Sequence, residues 1–327
     1  MAKKILFALI ALTLALACLC ACNDTTTEQP KEKTYYTVSF KFNNGDADYA
    51  LNVERGSLVS APITPERENY IFNGWKYDGK IWNFAEDEVY ENITFTAQWI
   101  DASAIFSYSV NDDSTITVTE YNGSLTEIRI PEVISGLTVT AIGDNVFKDL
   151  DDFDVSLITI PQTVTSVGKS AFEGCGFMPI TILGELKQVG EQAFDGCTKL
   201  TKISLGEGIT EIAFRAFADC SGVTELTVPK SVTVIGEDAF SGCSAIKTAL
   251  LLSTDFSVDD SAFAGCDSLL TVFYMGSEEE WNNVLSKIND GGSGNDDLKS
   301  ANVYFYSEVE AEGSYWYFND KNQPRCW

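Results

Sequence analysis

The sequence predicts a mainly β protein, in which a small sheet module precedes a solenoid of parallel strands with short helical corners and a C-terminal cap. One short segment recurs at a nearly constant spacing: "SAFEGC" at 170–175, then "QAFDGC" at 192–197, "RAFADC" at 215–220, "DAFSGC" at 238–243 and "SAFAGC" at 261–266. A fixed period in this range predicts a stack of similar turns. The residues before the array show a different pattern, with apolar and polar residues alternating as in half-buried strands.

Composition excludes several classes of function. The chain has 327 residues, of which 48 are acidic and 22 basic, so its formal net charge is −26. Nucleic acid is excluded as a partner, because phosphate binding needs clustered lysine and arginine. The chain also lacks histidine, the commonest general base and a frequent metal ligand. We therefore predict no catalytic residues, no cofactor and no metal.

The N-terminal segment predicts export. Two lysines precede an apolar stretch at 5–21, which ends in "LCAC" at 19–22 before polar residues. Leu19 three residues before Cys22, with a small residue between, resembles the lipobox of bacterial lipoproteins. The resemblance implies removal of the signal peptide, lipidation of Cys22, and anchoring at the outer face of the bacterial membrane or cell surface. A plain secretory peptide or a retained helix are the alternatives. Residues 23–34 are polar and predict a flexible tether.

Residues 35–100 form the sheet module. Tyr36, Val38 and Phe40 alternate with polar residues, and a turn signal follows. The segments "VSFKFNNGD", "PERENYIFNGW" and "NITFTAQW" resemble the internalin-type B repeat, also called the Listeria–Bacteroides repeat. The resemblance implies a β-grasp-like module that serves as a spacer or binding unit on bacterial surface proteins. We expect the aromatic residues to form its core; sugar binding by Trp75 and Trp82 is the alternative.

Residues 101–273 carry the repeats. Segments such as "VTSVG", "LKQVG" and "VTVIG" precede the repeated phenylalanine, and a short apolar alternation follows the cysteine. Together these marks resemble the BspA-like leucine-rich repeat, which implies a leucine-rich repeat solenoid that binds a protein partner. Residues 250–258 lack the usual Ile-Pro step, so we expect local irregularity there, with the stacking of the repeats preserved. Residues 274–327 are rich in aromatic residues and resemble the C-terminal cap of such arrays, which hides the last sheet edge.

The repeated cysteines could form disulfides, bind metal or pack in the core. Equivalent residues of a solenoid lie in a line about 5 Å apart, within disulfide range, but their side chains point the same way. A line of thiols also cannot converge on one metal ion. Packing is the favoured interpretation, with the neighbouring phenylalanines as core residues. The predicted ladder consists of Cys175, Cys197, Cys220, Cys243 and Cys266, with Phe172, Phe194, Phe217, Phe240 and Phe263.

The outward side chains of the repeat strands are the candidate binding surface. Two columns are predicted: Glu127, Leu157, Pro179, Lys202, Glu225, Thr248 and Thr271, and beside it Arg129, Thr159, Thr181, Ser204, Thr227, Leu250 and Phe273. Within them, Leu250 and Phe273 predict an exposed apolar spot of the kind that marks interaction sites. The predicted function is adhesin-like binding of a protein or matrix ligand on host or neighbouring cells. A structural or glycan-binding role in the cell envelope is the alternative.

A single segment, "GGSGNDDL" at 291–298, matches the calcium-binding nonapeptide of RTX repeats. Its Asp296 and glycine carbonyls could offer oxygen ligands. That site is normally shared between tandem turns, however, and this chain has one copy. A polar loop of the cap is therefore the favoured interpretation.

Overall fold

A computed structural model describes residues 33–150, 155–176, 178–288 and 294–327. The predicted signal peptide, Cys22 and most of the tether lie outside these residues, as do positions 291–293 of the candidate calcium segment. The described part of the chain is mainly β, with one short 3-10 helix and two short α-helices. This confirms the predicted fold class.

The N-terminal module is a mixed five-stranded sheet with a separate two-stranded pair. Its strands are β1 (Tyr35–Lys41), β2 (Tyr49–Glu54), β3 (Ser57–Leu58), β4 (Tyr70–Tyr77), β5 (Lys80–Ile81), β6 (Glu88–Val89) and β7 (Ile93–Asp101). The sheet order is β2-β1-β7-β4-β5, and β3 pairs with β6. The central strands β1 and β7 are parallel, with Phe40 opposite Phe95. The alternation in β1 buries Val38 and Phe40, as the period of two requires.

Aromatic rings fill the module's core. The ring of Phe40 lies 5.0 Å from that of Trp75 and 5.1 Å from that of Phe95. Trp75 is buried in this cluster, so its ring is not available to stack on a sugar. Trp82 packs against Phe95 at 5.1 Å and is half-buried. A module of this size needs such large side chains to bury enough apolar surface.

The module joins the solenoid through one short connection. After β7 comes a 3-10 helix, Ala102–Ala104, whose first turn is capped by the Asp101 carboxylate. The side-chain oxygen of Asn69 accepts a hydrogen bond from the N–H of Gly136 at 2.8 Å. Ile71 of the module belongs to the same buried apolar cluster as the solenoid residues. Packing and a hydrogen bond therefore connect the two parts of the fold.

The solenoid is built from two sheets of short parallel strands, and each repeat contributes one rung. In chain order the strands are β8 (Phe106–Val110), β9 (Ile116–Tyr121), β10 (Glu127–Arg129), β11 (Val133–Ile134), β12 (Leu137–Ile142), β13 (Leu157–Ile160), β14 (Ser166–Val167), β15 (Ile180–Ile182), β16 (Gln188–Val189), β17 (Glu211–Ile212), β18 (Glu225–Val228), β19 (Val234–Ile235), β20 (Thr248–Leu251), β21 (Ser257–Val258) and β22 (Thr271–Tyr274).

We call the two faces the front sheet and the back sheet. The front sheet contains β10-β13-β15 and, further along, β18-β20-β22. The back sheet contains β16-β14-β12-β9-β8 and then β17-β19-β21, with β11 paired to β12. The middle residues of the front strands face inward, so Leu226, Ala249 and Val272 are buried in register. Both sheets thus enclose one continuous apolar core.

Both sheets are interrupted at the same rung. The front sheet stops at β15 and resumes at β18, while the back sheet stops at β16 and resumes at β17. In between, one isolated bridge joins Leu186 to Leu205. Cys175 and Cys197 are 22 residues apart, whereas the later repeats span 23. The strands separated by 22 residues still pair in register, as β13 does with β15 and β14 with β16.

The stacking expected at 250–258 is preserved. Strand β20 pairs with β22 over all four residues, and β21 pairs with β19. The N–H of Leu252 donates to the carbonyl of Val228 at 2.9 Å, which keeps the turn in step with the previous rung. The Ile-Pro step is therefore not required for the stacking of this repeat.

The corners of the repeats were predicted to be short helices. In the described residues each corner is instead a series of tight turns. In the rung of Phe194, the N–H of Cys197 donates to the Phe194 carbonyl at 3.1 Å, an i to i+3 bond. Gln192 and Gly196 have φ angles of +58° and +76°. These left-handed residues prevent a right-handed helix from propagating. Positive φ recurs at the first position in Asn145, Ser170, Arg215, Asp238 and Ser261, and at the second in Asp149, Gly174, Asp219, Gly242 and Gly265.

The C-terminal cap continues the front sheet and then closes it. Its elements are α1 (Glu278–Ser286), α2 (Asp296–Ser300), β23 (Asn302–Tyr306), β24 (Tyr315–Phe318) and β25 (Pro324–Cys326). Helix α1 begins with a capping box between Ser277 and Glu280. Strands β23 and β24 add parallel to β22, and β25 returns antiparallel. A short strand carrying proline and arginine is a poor template for further pairing.

Candidate functional site

The outer face of the front sheet presents the two predicted columns in two blocks. In the first block, Arg129 lies opposite Thr159, which lies opposite Thr181. In the second block the pairings form two rows, Glu225–Thr248–Thr271–Asn302 and Thr227–Leu250–Phe273–Tyr304. Lys202 and Ser204 belong to the interrupted rung and lie in no strand. The interrupted rung therefore divides each column into two parts.

The charged members of this face lie in solvent. The Arg129 guanidinium contacts the Glu127 carboxylate at 2.9 Å, with side chains 37% and 52% exposed. Such an exposed pair stabilises the fold by less than about 1 kcal/mol. Lys202 and Glu225 are exposed. These residues can set the charge complementarity of a contact, but they do not hold the sheet together.

Leu250 and Phe273 are half-buried, which differs from the predicted exposed spot. The cause is the cap: the Phe273 ring lies 5.7 Å from Tyr304 and 5.5 Å from Trp316. The Trp316 side chain is buried, and its Nε1 donates to the carbonyl of Tyr274 at 2.9 Å. The cap thus covers part of the Phe273 ring and adds its own aromatic side chains to the apolar surface.

We call the enlarged surface the cap patch; it comprises Leu250, Phe273, Tyr304, Tyr306 and Phe318 around the Trp316 ring. The rings of Tyr306 and Phe318 lie 5.2 Å and 4.8 Å from that of Trp316. The cap aromatics were predicted to cover the last rung, and their place in an outward-facing patch was not predicted. Alternation within "NVYFY" was the available signal, because Tyr304 and Tyr306 must share the face opposite Phe305.

The ladder cysteines are buried free thiols. Each thiol donates a hydrogen bond to the carbonyl of the phenylalanine in the preceding rung. For example, Cys197 Sγ lies 3.2 Å from the oxygen of Phe172, and Cys220 Sγ lies 3.2 Å from that of Phe194. The same contact recurs for Cys175, Cys243 and Cys266 at 3.0–3.3 Å. The cysteine therefore links adjacent rungs as well as filling space.

Burial also keeps these thiols protonated. Loss of solvation raises the pKa of Cys175 to about 12 and raises those of Cys197, Cys220, Cys243 and Cys266 well above the usual thiol range. The thiolate is the nucleophilic and metal-binding form, so the ladder is chemically inert at neutral pH. Among the described residues, no group of three or more His, Cys, Asp or Glu side chains could hold a metal ion.

The ladder phenylalanines form a stack of rings beside the thiols. Their centroids lie 5.0–5.8 Å apart from Phe147 through Phe172, Phe194, Phe217 and Phe240 to Phe263. All six rings are buried. From Phe147 to Phe240, each phenylalanine N–H also donates to an alanine carbonyl of the next rung, as in Phe194 to Ala216 at 2.9 Å. The N–H and the carbonyl of each of these phenylalanines therefore both bond the following rung.

Asn295 ends this pattern at the cap. Its Oδ1 accepts from the N–H of Phe263, and its Nδ2 donates to the carbonyl of Asp259, both at 2.9 Å. The amide thus replaces the carbonyl that a further rung would supply. Asn295 is fully buried, while Asp296 is exposed at the start of α2. The described part of "GGSGNDDL" therefore satisfies the backbone groups at the end of the array through Asn295. This role was not predicted.

The described residues include no helix that is long and apolar enough to cross a bilayer.

Family comparison agrees with the repeat geometry. The model described as "BspA type Leucine rich repeat region" matches residues 140–270 in six copies. The chain contains a BspA-type leucine-rich repeat region. The BspA-type repeats are preceded by a match to the "Listeria-Bacteroides repeat domain" at residues 36–98. BspA-like repeat proteins are surface-associated and in general non-catalytic.

The chain is similar to three bacterial proteins over part of its length. A protein of Evansella cellulosilytica, provisionally named a membrane protein, is 31% identical over 133 residues, which cover 39% of this chain and 20% of that protein. Internalin H of Listeria monocytogenes is 30% identical over 120 residues, covering 35% and 21%. The crystal structure of a T. pallidum leucine-rich repeat protein is 23% identical with a TM-score of 0.48, covering 56% of this chain and 94% of that one. The chain thus spans about a fifth of the length of the Evansella protein and of Internalin H.

Proposed function

We propose that this protein is a bacterial surface lipoprotein that binds a protein partner through the outer face of its front sheet. The partner is a host or neighbouring-cell protein, or a matrix protein, and the interaction is by contact and not by chemistry. The cap patch supports this proposal most directly, because it places five aromatic and aliphatic side chains together on an open sheet face. Aromatic residues are enriched at the energetic centres of protein interfaces.

The proposal assigns each segment a task. Residues 1–22 direct export, acylated Cys22 anchors the chain, and residues 23–34 tether it. The Listeria–Bacteroides repeat at 35–100 is a spacer, residues 101–273 are the binding solenoid, and residues 274–327 are its cap. Mass spectrometry of the mature N-terminus tests the anchor: we expect an acylated cysteine at position 22. An unmodified residue after cleavage would disprove it.

The binding role is tested on the chain from residue 23 onward. Host matrix proteins and purified cell-wall glycan are immobilised separately, and saturable binding is measured by surface plasmon resonance. We expect saturation on a protein. Saturation on glycan alone would instead support the structural or glycan-binding alternative, which the stacked aromatic side chains of the cap patch also favour.

The contribution of the cap patch is tested by Leu250→Ser, with Thr248→Ser as the matched control on the same strand. Phe273 is a poorer choice, since its ring packs on Trp316 and its loss would disturb the cap. We expect Leu250→Ser to weaken binding at least tenfold and the control to change it less than twofold, with unchanged circular dichroism. Equal affinity of the two variants would exclude the cap patch as the contact.

A further inference from the structure

Strand β2 leaves one edge of the module's sheet open. It is the outermost strand of the order β2-β1-β7-β4-β5. The N–H of Arg55 donates to the carbonyl of Thr34 on the β1 side. The N–H and carbonyl groups of successive residues point to alternate sides of a strand, so those of Tyr49, Leu51 and Val53 also point toward β1. Ala50, Asn52 and Glu54 therefore turn their N–H and carbonyl groups outward, and no described residue forms a backbone hydrogen bond with them.

Four other outer strands of the described residues, β5, β8, β10 and β25, have features that disfavour pairing. Strand β8 has a register shift between Ser107 and Tyr108, and bulges of this kind blunt an edge. Strand β10 has only three residues, β5 has two residues and includes a lysine, and β25 contains Pro324 and Arg325. An ion pair does not distinguish these strands from β2, whose Glu54 contacts Lys33 at 2.7 Å. Strand β2, in contrast, has six residues in unbroken register and contains no proline, lysine or glycine. An edge without these devices indicates a strand partner.

We propose that β2 pairs antiparallel with β2 of a second copy of this chain, about a two-fold axis through Asn52. In this register Ala50 lies opposite the second copy's Glu54, and Asn52 lies opposite its own equivalent. The outward groups of three residues per strand then form about six backbone hydrogen bonds. The contact is self-complementary, as an isologous interface must be.

The charges of the strand select this register. Sliding by two residues in one direction would place Asp48 opposite Glu54, and like charges directly opposite each other are destabilising. Sliding in the other direction would use Gly56, whose N–H already donates to Val89 at 2.8 Å. The Asn52-centred register avoids both costs. It also places Tyr49 opposite the second copy's Arg55, a pairing of ring and guanidinium that is favourable in proteins.

Self-association is tested on the chain from residue 23 onward with Cys326→Ser, so that the exposed thiol does not interfere. Sedimentation equilibrium between about 1 and 500 µM should show a reversible dimer. Ala50→Pro removes one outward N–H and should raise the dimer dissociation constant at least tenfold. Ala50→Thr keeps that N–H and should change it less than twofold. A monomer at every concentration, or a dimer insensitive to Ala50→Pro, would overturn the proposal.

The register is tested independently by disulfide trapping in the same background. In Asn52→Cys the two introduced thiols face each other across the axis, with Cα atoms about 5.5 Å apart, within disulfide range. In Ala50→Cys they are separated by four residue steps, or about 13 Å. Under mild oxidation we expect Asn52→Cys to cross-link at least tenfold faster. Equal rates, or faster cross-linking of Ala50→Cys, would refute this pairing even if Ala50→Pro failed to fold.

Discussion

Replacing Asn295 by alanine should loosen the last rung of the solenoid. In the earlier rungs the phenylalanine N–H donates to a backbone carbonyl of the next rung, as Phe240 does to Ala262 at 2.8 Å. At the end of the array no further rung exists, and the Asn295 side chain supplies that acceptor for Phe263. Its amide nitrogen donates to Asp259 as well. The substitution removes both bonds and introduces no replacement.

The expected free-energy cost depends on which hydrogen bonds Phe263 and Asp259 keep after the substitution. Phe263 is fully buried, so its N–H is left without a partner, which costs about 1–3 kcal/mol. The Asp259 carbonyl still accepts from the N–H of Ala262 at 3.4 Å and is half-buried, so its loss is smaller, at less than about 1 kcal/mol. The two losses together make local opening easier by about 1–4 kcal/mol, and we expect a value of about 2–3 kcal/mol, near the middle of that range.

Hydrogen exchange measures this local opening, since the rungs of a solenoid open individually. A change of 2–3 kcal/mol corresponds to about 30- to 150-fold faster exchange in residues 259–266. Asn302→Ala is the matched control: Asn302 is exposed, and the carbonyl that its side chain contacts also accepts from its own N–H at 2.9 Å. Exchange in 259–266 that is equal within twofold for the two variants would refute the assigned role of Asn295.

Three further outcomes are expected. Phe217→Ala should lower the unfolding free energy in urea by about 3–5 kcal/mol, whereas Phe214→Ala, at a 37% exposed ring, should cost about 1; similar losses would contradict the ring stack. On the chain from residue 23 onward, a thiol reagent at pH 8 should label Cys326 alone before denaturation and five further thiols after it. Lys148 lowers the pKa of Glu173, so this pair stabilises the fold above the ordinary carboxyl pKa and the stabilisation disappears as the pH falls through the folded value. Lys148→Met should therefore lose less unfolding free energy than the unmodified chain between pH 6 and pH 3.

Much of the fold follows from local patterns that act at short range. The alternation in β1 and the recurrence of Phe194 and Phe217 are governed by burial, which a sequence records residue by residue. The interruption of both sheets at the Cys197 rung was not predicted. Whether the strands of adjacent rungs pair depends on how the two rungs fit together, which no pattern within one repeat records. The turns at the corners were missed because left-handed residues other than glycine, such as Gln192, have no clear composition signal.

The candidate site was predictable in its columns but not in its surroundings. Alternation placed Leu250 and Phe273 on one face, because successive side chains of a strand point in opposite directions. The cap's contribution depends on β23 and β24 adding in parallel to β22, which no local pattern predicts. Asn295 was missed for a related reason: a lone asparagine in a polar loop reveals its acceptor role only when the last rung's unpaired N–H is located.

The bond between each thiol and the preceding phenylalanine carbonyl has a consequence for how such arrays change length. Every junction between successive ladder rungs uses the same donor and acceptor, and Asn295 satisfies the last rung regardless of how many precede it. Duplication or loss of a whole 23-residue unit in the gene therefore creates a junction chemically identical to those already present. Across the 22-residue unit Cys197 makes the same bond to the carbonyl of Phe172, so a difference of one residue in length leaves this junction intact. Selection can lengthen or shorten the displayed surface in whole units without redesigning either end.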